Sequence, residues 1–204
     1  MIISSSKPFS EILGMLMDKE AVFIVGCSVC AAKQHVGGEP EVEEISSYLK
    51  EAGVNVVGGI VAKAACSVRS CEYLQELAPN IGDATAVLVM ACGSGTSNIA
   101  GFVDVDVYPA NNTESLGAMT GDKVIHHLCA MCGQCTIADF GGICPTAQCP
   151  KELLNGPCGG SMEGKCEVDP EKDCAWELIY ERLERIGRLD LLDEVRDAKD
   201  RLVK

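Results

Sequence analysis

The run AVFIVGCSVC, from Ala21 to Cys30, decides how the first half of the chain folds. Ala21 to Val25 is wholly apolar, so it reads as a strand buried on both faces rather than one with a wet side. Cys27 follows it directly, and Cys30 completes a C-x-x-C. Upstream, Lys7 to Glu20 sets Phe9, Ile12, Leu13, Leu16 and Met17 at helical spacing, with Ser6 as the expected N-cap and Pro8 in the first turn. Downstream, Pro40 to Ala52 is a second helix with Val42, Ile45 and Leu49 on one stripe, and Gly53 ends it. Val54 to Val61 is a second strand, Arg69 to Ala78 a third helix stopping before Pro79, Ala86 to Met90 a third strand and Val103 to Tyr108 a fourth. This alternation predicts an α/β fold with a parallel sheet covered on both faces.

The chain has 204 residues and is 47% hydrophobic but only 4% aromatic, so its core has to be aliphatic. A net charge of -13 argues against nucleic-acid binding, which needs clustered Lys and Arg. No apolar run reaches the ~18 residues of a membrane span. Met1 to Ser6 lacks the charged start and apolar run of a secretory signal, so the expectation is a cytoplasmic protein with reduced thiols. Thirteen cysteines are the informative number. At this density in a reducing compartment they point to metal rather than disulfides, and an odd count cannot pair completely.

All three strand runs end in cysteine. Cys27 and Cys30 follow the first, Cys66 and Cys71 the second, and Cys92 the third. The carboxyl ends of parallel strands share one edge, where binding crevices form. Helix N-termini that point at this edge favour thiolate. The expected site is Cys27, Cys30, Cys92 and one of Cys66 or Cys71. A thioredoxin-like redox pair at Cys27 and Cys30, or small buried thiols in a core, are the alternatives.

From Gly121 to Cys174 helical and strand patterns give way to Gly, Pro and Cys. Cys129-x2-Cys132-x2-Cys135 is the spacing that wraps backbone around an iron-sulfur cube. Cys144, Cys149, Cys158, Cys166 and Cys174 follow, giving eight thiolates, enough for two four-thiolate sites. Four thiolates also suit zinc, which remains possible at one four-cysteine site. His126 and His127 beside Cys129 read as structural or solvent-facing. No Ser/His/Asp set or G-x-G-x-x-G is present, so no catalytic residue is assigned. The tail sets Trp176, Ile179, Tyr180, Leu183 and Ile186 on one helical face, with a break expected near Gly187. The expected organisation is an α/β domain over 1–120, a cysteine-rich metal or iron-sulfur module over 121–174 and a helical tail over 175–204.

The stretch from Gly142 to Tyr180 resembles the methylenetetrahydrofolate reductase C-terminal domain family. The carrying residues are Gly142-Ile143-Cys144-Pro145, Cys149-Pro150-Lys151, Leu154-Asn155-Gly156-Pro157-Cys158-Gly159-Gly160, Gly164-Lys165-Cys166-Glu167-Val168 and Cys174-Ala175-Trp176 with Ile179-Tyr180. The resemblance implies a small iron-sulfur subunit with one to three [4Fe–4S] clusters. It implies electron transfer to the flavin of a MetF-like catalytic subunit that reduces methylene- to methyl-tetrahydrofolate. The upstream donor would be a ferredoxin, a heterodisulfide-reductase-like complex or a dehydrogenase subunit. One-carbon metabolism by the Wood–Ljungdahl pathway of acetogenic bacteria is the implied setting. The alternative is a zinc-binding structural scaffold for the same partner.

Overall fold

The computed structural model describes residues 1–121 and 124–200, without the side chain of Gln75. Contacts divide the chain into two units, Met1–Glu114 and Ser115–Lys204.

The first unit runs β1 (Ile2–Ser6), α1 (Phe9–Leu16), β2 (Val22–Cys27), α2 (Cys30–Lys33), α3 (Glu39–Glu51), β3 (Val56–Ala62), α4 (Val68–Glu72), α5 (Leu74–Leu77), β4 (Ala86–Met90), α6 (Gly93–Ala100) and β5 (Asp106–Pro109). A parallel sheet has the order β3-β2-β4-β5. Every residue of β2 and β4 is buried, as two-sided cover requires. The period-2 alternation of each strand sorts its side chains between two aliphatic layers. Val22, Ile24, Ala86 and Leu88 pack with Ile12 and Leu16 of α1 and Val42 and Leu49 of α3. Phe23, Val25, Val87 and Val89 pack on the other side with Ala31, Leu74 and Ile99. The sequence expected parallel strands, and these are parallel.

Strand β6 (Asn111–Met119) crosses from the first unit into the second, followed by β7 (Ile125–Cys129), α7 (Pro145–Gln148) and α8 (Ala175–Arg185). A second sheet has the order β1-β6-β7, with β6 and β7 antiparallel. This sheet corrects the expectation of a parallel sheet alone. Ser6, expected as a helix N-cap, instead closes β1, and Pro8 stands at the N-cap of α1. The third helix is two short ones, α4 and α5, divided at Tyr73. Gly53 and Gly187 end α3 and α8 with φ of 89° and 68°, as read from the sequence. On α8, Trp176, Ile179 and Leu183 are buried, whereas Tyr180 and Ile186 of the same expected stripe stay exposed. Among the described residues no helix is long and apolar enough to cross a membrane.

The loop after β2 closes over the carboxyl ends of the sheet. The Cys27 N–H donates to the Gly37 carbonyl at 2.8 Å. A Cβ on buried Gly37 would run into the Met90 carbonyl at the end of β4. Gly37→Ala should therefore cost about 1–3 kcal/mol by overpacking. The midpoint of thermal unfolding should fall by roughly 2–4 °C for each kcal/mol lost. An unchanged midpoint would show that the loop yields freely.

Candidate metal centres

The sheet order places a topological switch between β2 and β4, because the chain leaves β2 for β3 on one side and returns to β4 on the other. Crevices at such points take ligands. Cys27 ends β2, and Cys92 is the N-cap of α6, which follows β4. Cys30 is the first residue of α2. Cys66 lies in the connection after β3 and is exposed. Loss of hydration raises the Cys66 thiol above its usual value, and the neighbouring sulfurs of Cys92, Cys27 and Cys30 push it further. Cys66 thus lies within electrostatic reach of three other sulfurs at this sheet edge, and Cys71 within reach of Cys66 and Cys27.

Cys71 is held differently. It is buried, its thiol donates to the Ala65 carbonyl at 3.4 Å, and Asn98 Nδ2 donates to its sulfur at 3.1 Å. Burial raises its thiol chiefly, and the Asn98 bond opposes the rise. Asn98 Nδ2 also reaches the Ala65 carbonyl at 2.9 Å, so it ties α6 to the residue before Cys66. Gly95 makes this approach possible, since a Cβ there would stand 2.9 Å from the Cβ atoms of both Ala65 and Ala91. Sequence reasoning missed Asn98; an amide one turn inside a helix carries no local signal.

In the second unit Cys149, Cys158, Cys166 and Cys174 line one small cavity of about 20 Å³ together with Lys151 and Trp176. That is room for about one water-sized occupant. Cys166 enters behind a tight turn in which Met162 and Lys165 exchange backbone bonds of 3.1 and 2.9 Å. The central residues Glu163 and Gly164 have φ of 51° and 81°, the left-handed pair that two-residue hairpins require. Cys174 is buried and caps α8, its N–H donating to the Gly164 carbonyl at 2.7 Å. Backbone hydrogen bonding at Gly160 lowers the Cys158 thiol below its usual value, and the Lys151 ammonium assists. Both favour thiolate.

Four further cysteines lie on β7 and in the chain that leads to α7. Cys129 ends β7, which packs beside α7, and Cys144 caps α7. Cys132 and Cys135 follow in irregular chain, where Met131 and Gly133 take φ of 54° and 83°. The Met131 N–H donates to Cys129 Sγ at 3.4 Å. Backbone hydrogen bonding at Gln134 lowers the Cys132 thiol first, and the Lys199 ammonium, 3.2 Å from Cys132 Sγ, lowers it further. The Thr146 hydroxyl on α7 is buried with no hydrogen-bond partner. Such a group costs about 1–3 kcal/mol unless something accepts its proton. It follows Cys144, the N-cap of the same short helix, by two residues. His127 Nδ1 bonds the Ser115 hydroxyl at 2.7 Å, a structural use of the ring.

The thiols are neighbours rather than a finished coordination shell. Among the described residues, no three His, Cys, Asp or Glu side chains stand close enough together to hold a metal ion. The donor chemistry nevertheless suits soft metals and iron-sulfur clusters, for which thiolate is the ligand of choice. An orphaned hydroxyl and two lowered thiols fit the same use.

Residues 108–202 match a family model described as methylene-tetrahydrofolate reductase C terminal. The match covers the whole second set of cysteines and encloses Gly142 to Tyr180. The chain is similar to that family over this span. No curated protein and no solved structure gives a significant match.

Proposed function

We propose that this chain is the electron-transfer subunit, of MetV type, of a methylenetetrahydrofolate reductase, and that its thiolates hold redox-active iron-sulfur centres. The observation that carries the reading is the grouping of the cysteines. Cys27, Cys30, Cys66 and Cys92 share the switch-point edge. Cys149, Cys158, Cys166 and Cys174 share a cavity. Cys129 ends β7, and Cys132, Cys135 and Cys144 lie in the chain between it and α7. This leaves Cys71, which has its own partners. The family match to residues 108–202 supports the enzyme system. [4Fe–4S] clusters would supply one-electron steps at ordinary biological potentials. The residues of the chain provide the thiolates, the N–H groups and ammoniums that favour them, and the apolar cover. A MetF-like flavin subunit is the proposed acceptor, and a ferredoxin, a heterodisulfide-reductase-like complex or a dehydrogenase subunit the proposed donor.

One observation favours zinc at one place. A cavity of about 20 Å³ fits a single ion better than a cube of eight atoms. The second reading is therefore a structural zinc at Cys149, Cys158, Cys166 and Cys174, with clusters at the other two sets.

Anaerobic purification with iron, sulfide and zinc analysis tests both readings. Cys92→Ser should lose one cluster's share of iron and sulfide, with a thermal midpoint within about 2–4 °C of the parent, because the first unit has its own aliphatic core. Cys71→Ser should keep the full metal content. Equal metal in Cys92→Ser and the parent overturns the strand-end assignment. Zinc without iron overturns electron transfer and leaves a scaffold.

A further inference from the structure

A cavity of about 960 Å³ opens beside the strand-end thiols and has no part in the reading above. It begins at Ser28 and Val29, between Cys27 and Cys30, and runs past Ala64 and Ser67, on either side of Cys66. Its size is at the upper end of the range of small-molecule sites. The floor is apolar, from Ile60 and Leu74. Leu77 and Tyr73 extend it while remaining 69% and 46% exposed. Solvent-exposed apolar side chains gathered around one concavity mark binding surface rather than core.

The charge of this cavity is opposite to that of the chain. The protein carries -13, yet among the described residues none that lines the cavity is Asp or Glu, and Lys63 and Arg69 both line it. Several other cations are held in ion pairs: Lys7 with Glu11, Lys19 with Asp106, Lys165 with Asp173, Arg188 with Asp190 and Arg196 with Asp139. The Lys63 carbonyl accepts from the Ser28 hydroxyl at 2.9 Å, but among the described residues neither the Lys63 ammonium nor the Arg69 guanidinium is in an ion pair. Two cations and no described acid around one apolar concavity suit a negatively charged ligand with a hydrophobic body.

We propose that this cavity binds a small organic anion with a flat apolar body, an aromatic carboxylate or phosphate, its charge between Lys63 and Arg69 and its ring against Ile60, Leu74 and Leu77. The ligand then lies alongside the loop of Cys27 and Cys30 and against the chain that carries Cys66. The proposal stands whatever those thiols hold, because it uses none of them.

Titration calorimetry of the full chain with naphthoate and with naphthamide tests it. The two probes share a ring system and differ in charge. Naphthoate should bind at least ten-fold tighter, a difference of about 1.4 kcal/mol. The Lys63→Ser/Arg69→Ser double variant should erase that preference while keeping naphthamide binding. Both side chains are exposed, so the fold should survive, which circular dichroism checks. Leu77→Asp should weaken both probes. A second groove, about 620 Å³ in the second unit, is lined by Glu177, Glu181, Glu184 and Glu194 against Arg196, itself paired with Asp139, and disfavours naphthoate, so the charged probe separates the two. Equal affinity for both probes, an intact naphthoate preference in the double variant, wild-type binding by Leu77→Asp, or no binding of either probe would each overturn the assignment.

Discussion

Cys174→Ser should lose one metal site per chain and make residues 115–200 protease-sensitive, while residues 1–114 stay resistant. The asymmetry follows from how each unit is held together. The first unit has two aliphatic layers around a fully buried pair of strands. The second has one small cluster, in which only Phe140, Cys174, Trp176, Ile179 and Leu183 are buried. Much of its chain between β7 and α8 is irregular. Conformational entropy of about 1–2 kcal/mol per ordered residue has to be offset there by something other than apolar area. A thiolate-bound metal can do this, since structural zinc contributes about 10–16 kcal/mol at neutral pH. Serine nearly matches cysteine in shape and leaves the Cys174 backbone bond to Gly164 in place, so the lost ligand is the main change. Metal analysis by mass spectrometry and timed trypsin digestion read the two effects separately. A variant with the parent's metal content, cut at the parent's rate, would remove Cys174 from the ligand set and take the metal-dependent view of this unit with it.

How much of this was legible depended on whether each signal was local. Strands β2 and β4 stood out because fully buried parallel strands are apolar at every position. Strand β1, IISSS, was hidden because serines read as turn, and its pairing is set by a strand a hundred residues away. Strand β6, NNTESLGAM, is polar along most of its length, so neither periodicity nor apolarity marks it. Strand β7 lies inside the cysteine-rich run, where the metal pattern drew the eye. The helix expected over Arg69 to Ala78 breaks at Tyr73, where no glycine or proline marks it.

The same division applies to the thiols. That Cys27 and Cys92 stand at strand ends was local information: Cys27 is the last residue of β2, and Cys92 follows β4. What distinguishes Cys71 from Cys66 was not local: Asn98, which donates to the Cys71 sulfur, lies 27 residues beyond it. Eight cysteines in a row of loops gave no partition either. The cavity that gathers Cys149, Cys158, Cys166 and Cys174 depends on the turn at Glu163 and Gly164 and on the start of α8. Lys151 and Lys199, which favour the thiolates of Cys158 and Cys132, looked like ordinary surface charge.

Trp176→Ala should destabilise the second unit by about 3–5 kcal/mol, the cost of emptying a large aromatic site. Trp176 is 4% exposed. Its ring meets Phe140 edge-on, with centroids 5.7 Å apart and planes at 88°. Its Nε1–H donates to the Leu153 carbonyl at 3.1 Å. It also lines the thiol cavity on one side and the larger groove on the other, so its removal joins the two and admits water to the sulfurs. Trp176→Phe keeps most of the ring area and loses the hydrogen bond, for a cost of about 1 kcal/mol. Urea unfolding followed by far-ultraviolet circular dichroism gives both values. Metal retention during dialysis against a chelator gives a second readout. If Trp176 acts by packing alone, Trp176→Phe should hold metal as the parent does and Trp176→Ala should release it faster. If both variants release metal at the parent's rate, the aromatic wall does not shield the thiols, and their protection has to come from the chain around Cys158 and Cys166 instead.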